Sequence, residues 1–299
     1  YDSGGKFDKS FNELAFKTAE RVKNELGWEM VEFESSNDAQ IEQGMRKIAD
    51  RGATMIVGMG FAQADAVAAV SADYPDIKFV AVDVCWLDDP NNNIYQACYK
   101  EHEGSFLVGM MAAMASKTGT IGFVGGMDIP LIRKFQGGYE QGAQYVNPDI
   151  EVLANMTGTT NEAWNNPTKG AELTKAQIDG GADVVYQAAG GTGIGVLQAA
   201  ADAGIMGIGV DANQNWMHPG NMLTSMLKRL DLTIFAQAEA IAAGTFEPSG
   251  QFLSLGLAEG GVGYATEDGM VTDEMAAAAD AAAADIASGA IVVADWSQE

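Results

Sequence analysis

The sequence predicts an α/β protein made of two similar lobes, each with a parallel sheet covered by helices on both faces. Short β-rich runs alternate with amphipathic stretches of helical length from end to end. A weak internal repeat relates the two halves. Both copies of the repeat close on the same dipeptide, Val-Asp, at a strand end.

The β-rich runs are 55–57, 79–82, 121–124, 184–186, 208–210 and 222–226; the helical stretches between them include 13–26, 40–50, 168–178 and 195–203. Near-continuous apolar strands separated by helices are the mark of parallel sheets buried on both faces. In the repeat, GATMIV at 52–57 matches GADVVY at 181–186. Each is followed by an Ala-rich helix, 62–72 or 195–203, and then by a strand ending in Val82-Asp83 or Val210-Asp211. The offset is 129 residues at the first glycine (181 less 52) and 128 at the aspartates (211 less 83), so one deletion reconciles the copies. The competing reading is that all βαβ units share some likeness; the repeat points to two similar lobes.

Ligands of open parallel sheets sit beyond the carboxyl ends of the strands. Asp83 and Asp211 hold that place, one in each half, and two facing lobes would aim both carboxylates into one cleft. The competing reading of each is a helix N-cap or turn aspartate. Their matched placement favours the binding role.

The formal charge of −24 would repel phosphate backbones, so nucleic acid is not expected as a partner, and it disfavours anionic membrane surfaces. The plain reading of the acidity is a protein kept dispersed by its charge. The longest apolar run, 106–115, is about half of the roughly 20 residues that a membrane span needs. It reads as a buried helix. The opening residues 1–5 read as the end of a strand, so an upstream segment is expected and no signal peptide is seen. Cys85 and Cys98 are 13 residues apart without a CxxC or a His cluster, which rules out a zinc site. They are read either as two buried thiols or as one disulfide. The disulfide is preferred because each cysteine falls in an expected strand flanking the turn at 88–93.

Catalytic motifs are missing. The only histidines are His102 and His218, and there is no GxSxG, HExxH or GxxxxGK[ST] pattern. His102, at a helix start, reads as a surface residue. GGTGIG at 190–195 follows a strand, opens a helix and has Asp211 twenty residues beyond Gly191, as a dinucleotide fingerprint would. Val196 occupies the position that the fingerprint gives to glycine or alanine, and the segment lies late in the chain. An NAD-type oxidoreductase is therefore a minor alternative, and Gly190 is read as a turn that lets backbone amides approach a ligand.

The segment DSGGKFDKSFN at 2–12 resembles the D-x-G-G-x-x-D-x-S-F-N signature of the basic membrane protein family, purine nucleoside receptors of ABC transporters with the type I periplasmic-binding fold. The resemblance continues through FVAVD at 79–83, EGSFLVG at 103–109, IGFVGG at 121–126, GIGVD at 207–211 and LTSMLK at 223–228. It implies that Phe11 stacks on a purine and Asn12 bonds its edge. Asp83 would face the base, Trp164 would cover the other ring face, Asp211 and Lys228 would grip the ribose, and Asp2 would stand at the cleft edge. Without the resemblance, Phe11 reads as a hydrophobic staple, Trp164 as a loop cap and Lys228 as a solvated cation. The chain departs from the family at 212–214, where members often carry a second aspartate, and around Trp164. A receptor for riboflavin or another heterocycle is the alternative this leaves.

The resemblance further implies three hinge strands joining the lobes. The first lobe is expected at 1–116 plus 229–260 and the second at 117–228 plus 261–299. The expected protein is a monomeric small-molecule receptor, not an enzyme, with no cofactor and no metal. It would serve an ABC permease from a periplasmic or other extracytoplasmic location, with an upstream lipid anchor as one means of attachment. A sensor feeding a signalling partner would share this fold.

Overall fold

The computed structural model describes residues 1–34 and 38–298. Along the chain the first elements are α1 (Phe11–Leu26), α2 (Ile41–Asp50), β1 (Met55–Met59), α3 (Ala64–Asp73), β2 (Lys78–Val82), β3 (Ile94–Tyr99), α4 (Glu101–Ala115), β4 (Thr120–Met127) and α5 (Pro130–Val146). There follow β5 (Glu151–Gly158), α6 (Pro167–Asp179), β6 (Val184–Ala188), α7 (Gly193–Asp202), β7 (Met206–Asp211) and β8 (Met222–Lys228). The last are α8 (Leu230–Ala243), β9 (Ser254–Leu255), β10 (Val262–Tyr264) and α9 (Asp273–Ser288). Packing divides the chain into two compact units.

The first unit is Tyr1–Phe7, Asn12–Tyr99 and Leu230–Leu255. Its sheet has the order β1-β2-β3-β9, with every pair parallel. Fully buried Val67, Val70, Phe79 and Ile94 form its main core, and Val22 of α1 packs with Phe235 and Ala238 of α8. Cys85 and Cys98 form a disulfide with Cα atoms 5.6 Å apart. Cys98 lies in β3 as expected, but Cys85 lies outside any strand. The reason is Asp83, whose backbone turns left-handed at φ 62° and ends β2, leaving only an isolated bridge from Val84 to Ala97. The segment before β9 is tied to the same place: Phe252 N–H donates to the Cys85 carbonyl at 2.6 Å and Cys98 N–H to that of Leu253 at 3.1 Å.

The second unit is Asp8–Phe11, Lys100–Arg229 and Gly256–Glu299. Its sheet has the order β10-β8-β7-β6-β4-β5, parallel except for β10, which runs antiparallel to β8. Strand β5 was not expected from sequence. It is an edge strand whose residues are partly exposed or exposed throughout, so its sequence EVLANMTG has neither a continuous apolar run nor a clean alternation. Helix α4 is buried from Glu101 through Ala112, as the apolar run there implied. It lies with the second unit, whereas the sequence reading runs the first lobe to 116. The cause is a backbone-close crossing with α5: a Cβ at Gly109 would collide with the Tyr139 carbonyl, one at Gly138 with that of His102, and one at Gly142 with that of Phe106. Only glycine permits that approach.

The disulfide closes a short loop, its ends 13 positions apart in sequence, for which chain entropy gives about 3 kcal/mol. Replacing both cysteines with serine should lower the unfolding free energy by about 2–4 kcal/mol. Denaturant titration of oxidised wild type against the double variant measures it, and equal midpoints would contradict the assignment.

Candidate ligand-binding site

The sequence-predicted residues fall into two groups, one in each unit. In the first unit Asp2, Asn12 and Asp83 sit around the carboxyl ends of β1 and β2. Asp2 Oδ1 accepts from Asn12 Nδ2 at 2.6 Å and from Gly4 N–H at 3.0 Å, while Asp2 N–H donates to Asn12 Oδ1 at 3.2 Å. The two side chains thus fix one another. Asp2 lies against Gly60, whose N–H bonds the Val82 carbonyl at 3.1 Å, one residue before Asp83. Asp83 is buried and its N–H donates to the Ala97 carbonyl at 2.8 Å.

The second unit holds Phe11, Trp164, Gly190, Asp211 and Lys228. Asp211 ends β7 in a left-handed conformation, φ 64°, the counterpart of Asp83 ending β2. Ser10 Oγ donates to Asp211 Oδ2 at 2.7 Å and approaches the Val210 carbonyl at 3.2 Å. The signature loop is also held by Gln214, whose Nε2 donates to the Lys9 carbonyl at 3.1 Å. Gln214 Oε1 accepts from Val210 N–H and from Gln187 Nε2, both at 2.8 Å. Gln214 is fully buried and braces the loop.

Lys228, at the end of β8, is only 2% exposed, which removes the reading of a solvated cation. Its Nζ lies 5.3 Å from the Phe11 ring centroid and 5.7 Å from that of Phe135, within cation–π range. Glu101 Oε1 is 3.0 Å from the same nitrogen. Trp164 closes a short 3-10 turn, Asn161–Trp164, and its indole covers Gly126 at the end of β4 so closely that a Cβ there would collide with it. Thr192 Oγ1 locks that turn to the glycine turn at Gly190–Thr192, donating to the Ala163 carbonyl and accepting from Asn166 N–H, each at 2.7 Å. The later glycines of that run serve packing: a Cβ at Gly195 would strike the Pro167 carbonyl, and one at Gly193 the Gln187 side chain.

Sequence reasoning missed Ser10, Gln214, Phe135 and Glu101. Ser10 lay inside the signature, but the others carry no local pattern and enter by long-range packing. His102 corrects the surface reading. It is buried because α4 is covered along its length, and burial pushes its imidazole pKa down. A cavity of about 160 Å³ in the first unit, among Ala19, Val22, Trp28, Met55 and Ile234, contains none of the predicted site residues. Among the described residues no cluster of His, Cys, Asp and Glu could hold a metal, and no helix is long and apolar enough to cross a membrane.

The model of the family described as "ABC transporter substrate-binding protein PnrA-like" matches residues 1–296. The chain belongs to this family. It is 31% identical over 314 residues to the ABC transporter nucleoside-binding protein BmpA of Lactococcus lactis, covering 98% of this chain and 87% of that one. It is 33% identical over 284 residues to an uncharacterized lipoprotein of Pyrococcus furiosus, covering 90% of this chain and 70% of that protein. A solved ABC transporter solute-binding protein from Aeropyrum pernix superposes with a TM-score of 0.87 at 27% identity, over 98% of this chain and 91% of the other. The fold is therefore the type I solute-binding fold, and membership makes the chain a binding protein of an ABC transporter, not an enzyme. The dehydrogenase alternative falls with that result.

His102 gives a pH prediction. A histidine whose folded pKa is depressed by burial binds its proton more readily when unfolded. Its contribution is fully present above the unfolded value of about 6.5 and is lost as pH falls from there toward the lower folded value. His102→Gln should therefore show a smaller fall in melting temperature between about pH 7.5 and pH 5 than wild type. An equal fall would show that His102 does not titrate across folding.

Proposed function

We propose that this protein is a monomeric receptor that binds a purine nucleoside outside the cytoplasm and presents it to an ABC permease. The observation that carries the reading is the Phe11–Lys228 pair: an aromatic ring and a buried ammonium 5.3 Å apart, in the unit that also holds Asp211. The ring offers a stacking surface for a flat base. An ammonium that donates and a carboxylate that accepts suit a vicinal diol. The named nucleoside binding of the Lactococcus lactis relative supports the same ligand class.

In this reading Phe11 and Trp164 contact the two faces of the base, and Asn12, with Asp2 bonded to it, meets the polar edge beside Asp83. Asp211 and Lys228 hold the ribose hydroxyls, and the turn at Gly190 supplies backbone amides. The ligand stabilises the arrangement it binds best. An extracytoplasmic location agrees with the lipoprotein relative. The ligand is bound and released unchanged.

Charge-assisted hydrogen bonds in a closed site are worth about 1.5–3 kcal/mol each. Isothermal calorimetry should then find a ribonucleoside bound about 10–100-fold more tightly than its 2′-deoxy form, and the free base more weakly still. Equal affinity for all three would remove the ribose from the site.

A further inference from the structure

Glu101 belongs to a charge cluster in the second unit that the binding reading has left unused. It is the first residue of α4, it is fully buried, and its two oxygens face two different cations. Oε1 lies 3.0 Å from Lys228 Nζ and Oε2 lies 3.5 Å from Lys134 Nζ. Lys134 is in turn 4.0 Å from Asp295 of the C-terminal segment. That segment is pinned on α5: Gln141 Nε2 donates to the Ala294 carbonyl at 3.0 Å, Ala294 N–H donates to Gln141 Oε1 at 2.8 Å, and Trp296 packs on Gly137.

We propose that Glu101 is a positioning residue for the ligand: it fixes the ammonium of Lys228 beside the Phe11 ring and so decides whether the sugar is read. The proposal rests on the reading of Lys228 as the sugar-gripping group. A lysine stem is long and flexible, and holding its tip at one point costs rotamer freedom that a ligand hydroxyl alone must otherwise supply. A buried carboxylate at 3.0 Å sets that point before the ligand arrives. Three features keep Glu101 itself in place. The start of α4 favours a negative charge there. Lys134 draws its second oxygen the other way. The α4–α5 crossing brings the two backbones so close at Gly109, Gly138 and Gly142 that a Cβ at any of them would collide.

The test is a double-mutant cycle of Glu101→Gln and Lys228→Met, titrated with a ribonucleoside and with the matching free base. Each single variant should lose about tenfold or more in nucleoside affinity and less than about twofold in base affinity, and the double variant should lose no more than Lys228→Met alone. Additive losses, or equal losses for nucleoside and base, would overturn the proposal, since a merely structural role weakens both ligands alike. If Glu101→Gln does not fold, Glu101→Asp keeps the charge but withdraws it by one methylene, and the same sugar-selective loss is expected. If wild type itself does not prefer the nucleoside to the base, the sugar reading fails and the positioning is judged without ligand. The ¹⁵N signal of the Lys228 ammonium should then be sharp in wild type and shifted or broadened in the variant. An unchanged signal would sink the proposal.

Discussion

The second unit is organised around burying one ammonium. Lys228 ends β8 with 2% of its surface exposed, and an isolated charge at that depth is strongly unfavourable. A carboxylate must meet it, and Glu101 does so from the first turn of α4. The start of α4 must therefore come to the end of β8, which draws the helix through the interior. There it needs a partner thin enough to lie against, and the glycines of α4 and α5 provide that crossing. The same crossing delivers Lys134 and Phe135 to the cluster. Removing either member of such a buried pair alone costs about 3–5 kcal/mol in comparable proteins, so these elements stand or fall together.

A second constraint is common to both units. Asp83 and Asp211 each leave a parallel strand in the left-handed region, at φ 62° and 64°. That conformation is uncommon outside glycine and costs about 1–3 kcal/mol, though aspartate tolerates it better than most residues. Glycine would relieve the strain but would lose the carboxylate. Aspartate at both places keeps a carboxylate at each strand end. Around Asp211 the strained turn is over-determined: Ser10 holds the carboxylate, and Gln214 ties Val210 to the Lys9 carbonyl.

Much of this was legible in the sequence because the governing signals are local. Buried parallel strands read as apolar runs, and the helices between them showed their period, so 40–50 became α2 and 168–178 became α6 nearly residue for residue. The matched Val-Asp ends pointed to Asp83 and Asp211 without any comparison. What failed was set by surroundings. Edge strand β5 has no buried face to impose a pattern. His102 looked like a surface residue because its neighbours, Lys100, Glu101 and Glu103, are charged, yet α4 is covered along its length. Glu101 was passed over for the same reason. A buried charge is identified by a partner far away in sequence, here 127 positions on at Lys228 (228 less 101), and no window along the chain shows that pairing.

Family membership describes a protein that holds a small molecule rather than one that changes it. The most direct test of the account is to purify the protein under native conditions, release whatever it carries, and identify that molecule by mass spectrometry. The account predicts an intact purine nucleoside at close to one per chain. A flavin, a sugar or another non-purine ligand at that stoichiometry would contradict it.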